Sequence, residues 1–140
     1  MSQGLSLGRG PEGHVDQLVR LARMAPRIEP FKRPDWEPVP NDGCVNVEGR
    51  VLCFDETIGL ALLRFGQHGK IHEHPGPNDT VVSCLEGHGY TTVGGEVAEI
   101  HSGERVYWPA DVPHGLWTKD STMTTLMCER PAAGKSGIVS

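Results

Sequence analysis

His72 and His74 stand one residue apart in "GKIHEHPGP", within a stretch whose β-branched and apolar residues predict a strand. In a strand, residues i and i+2 lie on one face, roughly 6.6 Å apart along the chain. Both rings can therefore aim a nitrogen at one point, where a divalent ion would sit about 2.1 Å from each. By itself such a pair is a common accident. Seven histidines in 140 residues give about 0.35 chance occurrences of this spacing. The chemistry therefore depends on what surrounds the pair.

The surroundings repeat in outline further along the chain. Gly66 is followed after five residues by His72-Glu73-His74, and Gly87 closes that stretch. Gly103 is followed after five residues by Pro109, and then by Asp111, Pro113 and His114. Fifteen residues separate Gly87 from Gly103. Together these spacings resemble the two motifs of the cupin superfamily, over residues 44 to 129 or so.

The resemblance implies an all-β fold, a cupin-type double-stranded β-helix or jelly-roll barrel, in a small single-domain (monocupin) chain. It also implies that His114 joins His72 and His74 in a three-histidine metal cage, and that the protein is a homodimer. Two positions depart from the pattern. Where the family has a glutamate ligand, this sequence has Asp79 or Thr80, depending on the direction of counting; Asp79 reads first as a turn residue after "PGPN" and second as a possible additional ligand. Asp111 replaces a glycine, and Thr118 an asparagine. A barrel that keeps its turns but has lost its metal is the plainer alternative.

Three neutral imidazoles leave the charge of a divalent ion uncompensated, so an anionic oxygen or sulfur is drawn to the open positions. Imidazole serves Fe, Zn, Ni, Mn and Cu, and the sequence does not choose among them. The resemblance implies a metal-dependent enzyme on an organic small molecule, with a dioxygenase-like oxidoreductase first. A redox-neutral cyclase, isomerase or lyase using a Lewis-acid metal is the alternative, and a non-catalytic metal- or ligand-binding sensor a further one. Strand alternation turns Leu116 and Thr118 inward with His114, and Val82 and Cys84 inward with Thr80. The expected pocket is apolar, suited to an apolar or aromatic substrate. Glu73 points away from its neighbours, so no general base is named. His14, His68, His88 and His101 read as surface residues, with His68 near enough in sequence for a fourth ligand.

The elements that must position these groups come next. Glycine at 18 residues and proline at 11 favour short strands and tight turns. Ten β-prone runs follow Cys44, and so many short strands bury their apolar faces by stacking or closing. Gly94-Gly95 predicts a two-residue hairpin. Before the barrel, residues 12 to 25 carry apolar residues at helical spacing between Pro11 and Pro26. Prolines at 26, 30, 34, 38 and 40 then forbid helix and predict an extended arm, with Phe31 and Trp36 as anchors on the chain's own barrel or on a second subunit. The expected divisions are 1–41 for helix and arm, 42–131 for the barrel and 132–140 for a flexible tail.

Composition excludes some partners. Thirteen basic against 18 acidic residues, net −5, provide no basic stripe for nucleic acid. No apolar run reaches the ~20 residues that span a bilayer, and the first residues lack a secretion signal. The four cysteines lack C-x-x-C spacing and read as reduced thiols, consistent with the cytoplasm.

Overall fold

Alternating apolar and polar residues, broken by paired glycines, give a chain of strands in the computed structural model, which describes residues 24–32 and 34–139. The expected helix lies outside the described residues except for Met24 and Ala25, which form a turn and a bend. His14 also lies outside them. No helix occurs among the described residues. Contacts divide the chain between Lys32 and Arg33. Residues 24–32 are irregular and carry an Arg27–Glu29 ion pair of 3.2 Å.

The second unit holds eight strands: β1 (Glu37–Pro38), β2 (Val45–Phe54), β3 (Gly59–His74), β4 (Asp79–Val93), β5 (Glu96–His101), β6 (Arg105–Trp108), β7 (His114–Trp117) and β8 (Met123–Arg130). The sequence suggests more and shorter runs because Gly66, Gly69, Gly87 and Gly89 look like breaks. They instead lie within two long strands. The first half of β3 pairs with β2 and β8, and its last residues pair with β7. Likewise β4 pairs first with β6 and β8, then with β5 and β7. Each long strand thus passes from one group of neighbours to another, which closes the jelly roll with all pairings antiparallel.

Glycine permits these crossings because backbone approaches closely there. A Cβ at Gly69 would lie 2.7 Å from the Asn46 carbonyl oxygen, and one at Gly89 would lie 2.5 Å from that of Trp117. The Gly94-Gly95 turn has φ of 59° and 85° and joins the Val93↔Glu96 pair, as a two-residue hairpin requires.

Residues 34–41 run with the barrel unit. Glu37 and Pro38 pair with Gly49 and Glu48 of β2. The Arg64 guanidinium lies 4.1 Å from the Trp36 ring centre and pairs with Glu48 at 2.7 Å. Arg50 donates to the Pro34 carbonyl at 3.1 Å. At the other end, residues 131–139 return to the barrel. Ile138 N–H donates to the Glu56 carbonyl, and Val139 pairs with the Asn78 side chain. Inside, Val47, Leu63, Phe65, Val82, Leu116 and Trp108 anchor the core. All four cysteines are free thiols; Cys84 is buried and Cys53 exposed.

Candidate metal and substrate site

A one-residue bulge in β3 sets the geometry of the histidines. Ile71 pairs with Leu116, but His74, not Glu73, pairs with His114. The extra residue rotates the end of β3 relative to β7. Without it Glu73 would face His114. Glu73 instead points to the outer face, where it accepts a hydrogen bond from Thr92 Oγ1 at 3.3 Å.

His74 and His114 are oriented alike. His74 Nδ1 lies 2.9 Å from the His72 carbonyl oxygen and His114 Nδ1 lies 3.1 Å from that of Val112. A carbonyl only accepts, so Nδ1 carries the proton in each ring and the Nε2 lone pair is left for a ligand. Their ring centres are 4.9 Å apart. Two imidazoles sharing one ion at about 2.1 Å have centres roughly 4.5 to 5.5 Å apart at common coordination angles. His114 is only 4% exposed. Burial, and secondarily the neighbouring His74, hold its imidazole below the ordinary value, which favours the neutral form a metal needs.

The His114 ring is fixed on both sides. Trp108 stacks on it at 4.1 Å with 10° between the planes. Trp108 Nε1 donates to Thr91 Oγ1 at 3.1 Å, and that hydroxyl donates to the Gly115 carbonyl at 2.9 Å. Across from it, a Cβ on Gly76 would lie 3.3 Å from His114 Cε1, so glycine leaves the ring its space.

His72 is near but differently engaged. Its ring centre is 5.2 Å from that of His74, yet its Nδ1 is 3.7 Å from Cys44 Sγ. Gly43, at φ 81°, makes room for it: a Cβ there would be 3.0 Å from His72 Cγ. The donor chemistry and spacing of His74 and His114 fit a divalent transition ion. The full cage is not assembled, since among the described residues no group of three or more His, Cys, Asp or Glu side chains is arranged to hold a metal. The ring of His72 is drawn toward Cys44.

Asp79 has another task. Its Oδ1 accepts from the Ala110 N–H at 2.9 Å, tying β4 to the loop in which Asp111 adopts φ 66°. His68 lies on the surface, 3.6 Å from Asp120. His88 and His101 stack as a cross-strand pair at 5.7 Å, also exposed.

His74 and His114 open onto a cavity of about 240 Å³ inside the barrel, walled by Leu63, Ile71, Trp108 and Met127. The expected lining residues Val82, Cys84, Leu116 and Thr118 are all buried but do not line this cavity. Alternation gives a side chain's direction and not its depth. Thr118 donates to the Gly66 carbonyl at 2.6 Å and accepts from Gly69 N–H at 2.9 Å, holding the β3 crossing. Burial, then the charge of Glu104, pushes the Cys84 thiol up, as suits an unreactive core residue. Thr80 does reach the cavity.

Sequence reasoning misses most of the lining, and with it the polar or adaptable groups Asn78, Met127 and Glu129. Met127 and Glu129 follow Met123 and Thr125 at every second position of β8, a signal present in "MTTLMCE" but without a fixed register. Nothing local marks Asn78, which resembles any turn asparagine.

The sequence matches the model of the cupin domain family over residues 59–128. A search of curated proteins finds no match. Among solved structures, the chain is similar to the polyketide cyclase RemF from Streptomyces resistomycificus, at 20% identity and a TM-score of 0.66, covering 81% of this chain and 87% of that one. It is also similar to a cupin-2 domain protein from Rhodospirillum rubrum, at 19% identity and 0.63, covering 82% of each chain. A third is KdgF from a Halomonas species, at 14% identity and 0.61, covering 70% of this chain and 88% of that one.

Proposed function

This chain belongs to the cupin family, as a single-barrel member, and from that premise we propose that it is a metal-dependent enzyme acting on an apolar or aromatic organic small molecule. One observation carries the reading: His74 and His114, ring centres 4.9 Å apart, together line a cavity walled by aliphatic side chains and Trp108. His74 and His114 would hold a divalent transition ion, and His72 would join them if its ring turned away from Cys44. Such an ion supplies Lewis-acid stabilisation of an anionic oxygen or sulfur on the substrate. The chain's own part is to exclude water with Leu63, Ile71 and Met127, to hold both imidazoles by their Nδ1 hydrogen bonds, and to favour neutral His114 by burying it.

We favour redox-neutral chemistry, ring closure or isomerisation, over oxygenation. A carboxylate, Glu129, shares the cavity with the histidines, and proton transfer is what these reactions require. The likeness to a polyketide cyclase, a ring-closing activity by its name, agrees with this. Oxygenation of the same class of substrate is the outcome that oxygen uptake by the iron-loaded protein would reveal.

The test is elemental analysis of protein purified without added metal, together with His72→Ala, His74→Ala and His114→Ala. We expect about one transition ion per chain, lost in the His74 and His114 variants. Absence of bound metal in the unaltered protein, with no thermal shift on adding zinc, nickel, manganese, copper or iron, would refute the reading.

A further inference from the structure

Glu129 is the one carboxylate among the described residues lining the cavity, and its surroundings are those of a held base. The side chain that holds it, Asn78, is 3% exposed at the turn between β3 and β4. Its amide is fully used: Oδ1 accepts from Val139 N–H at 2.9 Å, while Nδ2 donates to the Val139 carbonyl at 2.8 Å and to Glu129 Oε2 at 3.0 Å. No lysine or arginine pairs with Glu129 among the described residues. One carboxylate oxygen is therefore fixed by a neutral donor, and Oε1 has no protein partner among those residues.

The C-terminal segment is part of this arrangement. A buried amide left without partners is destabilising, so the position of Asn78 depends on Val139 returning to satisfy it. The segment expected to be loose is thereby linked through one side chain to the carboxylate in the cavity.

We propose that Glu129 is the proton-transfer group of this cavity, aimed by Asn78 and Val139 at a C–H bond next to a carbonyl in an apolar or aromatic ketone. The proposal rests on the reading of the cavity as a small-molecule enzyme site. Oε1 takes the proton from the carbon α to the carbonyl. The C–H electron pair becomes the carbon–carbon double bond of the enolate, and the negative charge moves to the carbonyl oxygen. The enolate carbon then attacks a second carbonyl carbon of the same molecule, whose oxygen takes the proton back from Glu129 as the first carbonyl re-forms, or the enolate carbon itself recovers that proton. No oxidant or reductant enters either outcome. Aliphatic walls suit such a substrate, and Asn78 is a positioning residue.

The test uses the full chain, with and without zinc, and the bicyclic ketone 2-tetralone in deuterated water, following deuterium uptake at the α-carbons. Glu129→Gln keeps the shape and the contact with Asn78, and it is expected to lower exchange by about 100-fold or more while leaving zinc content unchanged. A chain ending at Gly137 removes the Val139 clamp and is expected to lower exchange about tenfold and to displace the pH profile. Glu129→Gln exchanging at the unaltered rate would overturn the proposal, as would an unaltered protein that binds zinc but exchanges nothing above buffer. Glu129-dependent exchange by a protein that binds no metal would uphold this assignment while refuting the metal reading.

Discussion

His114 illustrates how much one residue's surroundings decide. Stacked on Trp108 and buried, its imidazole is held below the ordinary value of 6.5 by desolvation and by His74. In the metal-free protein the unfolded chain thus binds a proton that the folded chain resists. Stability is complete above that ordinary value and declines as pH falls through it toward the lower folded value. Denaturation of chelator-treated protein between pH 7 and 5 should show this decline, and it should be shallower in His114→Asn. Equal slopes in the two proteins would remove the argument. The sequence marks His114 by motif spacing, but neither its stacking partner nor its neutrality can be read there, because Trp108 arrives from another strand.

At the scale of elements, the long bent strands place the site. Glycines serve the barrel for two separate reasons, which substitution at the β4 crossing and at the β5–β6 turn can tell apart. Gly87 has φ 76°, and a Cβ there would collide with the Thr122 carbonyl oxygen. Gly103 has φ 90° with open space around it. Gly103→Ala should cost roughly 1–2 kcal/mol, for backbone strain alone. Gly87→Ala should cost about 3 kcal/mol or more, strain plus displaced backbone. Urea unfolding at unchanged m-value measures both, and equal losses would show that the β4 crossing tolerates a Cβ. The same scale explains the difference over His72. The alternation rule correctly puts it beside His74, but the β3 bulge and the space left by Gly43 turn its ring toward Cys44.

Across the whole molecule, site and core are one structure. Trp108 fills the barrel, stacks on His114 and bonds to Thr91, which in turn holds the backbone of β7. Trp108→Ala should therefore destabilise by about 3–5 kcal/mol and leave His114 without its support. A loss under about 1 kcal/mol in chemical denaturation would mean the barrel refills the space and the coupling is absent. The arm and the returning C-terminal residues belong to this scale too. Val39 and Asn78 bring them to the cavity wall, and their compositions, rich in proline and in small polar residues, resemble those of unattached segments.

The β class, the Gly94-Gly95 hairpin and the family were determined by the sequence alone, because turn chemistry and motif spacing are local properties. The tertiary structure decided which groups share a cavity. Depth within the barrel separates Thr80, Met127 and Glu129 from Val82, Cys84 and Leu116, and it depends on where each strand crosses. The partners of Asn78 lie 51 and 61 residues away in the chain. A hydrogen bond closed over such a distance leaves no periodicity to read, so the clamp on Glu129 exists only once the barrel has closed.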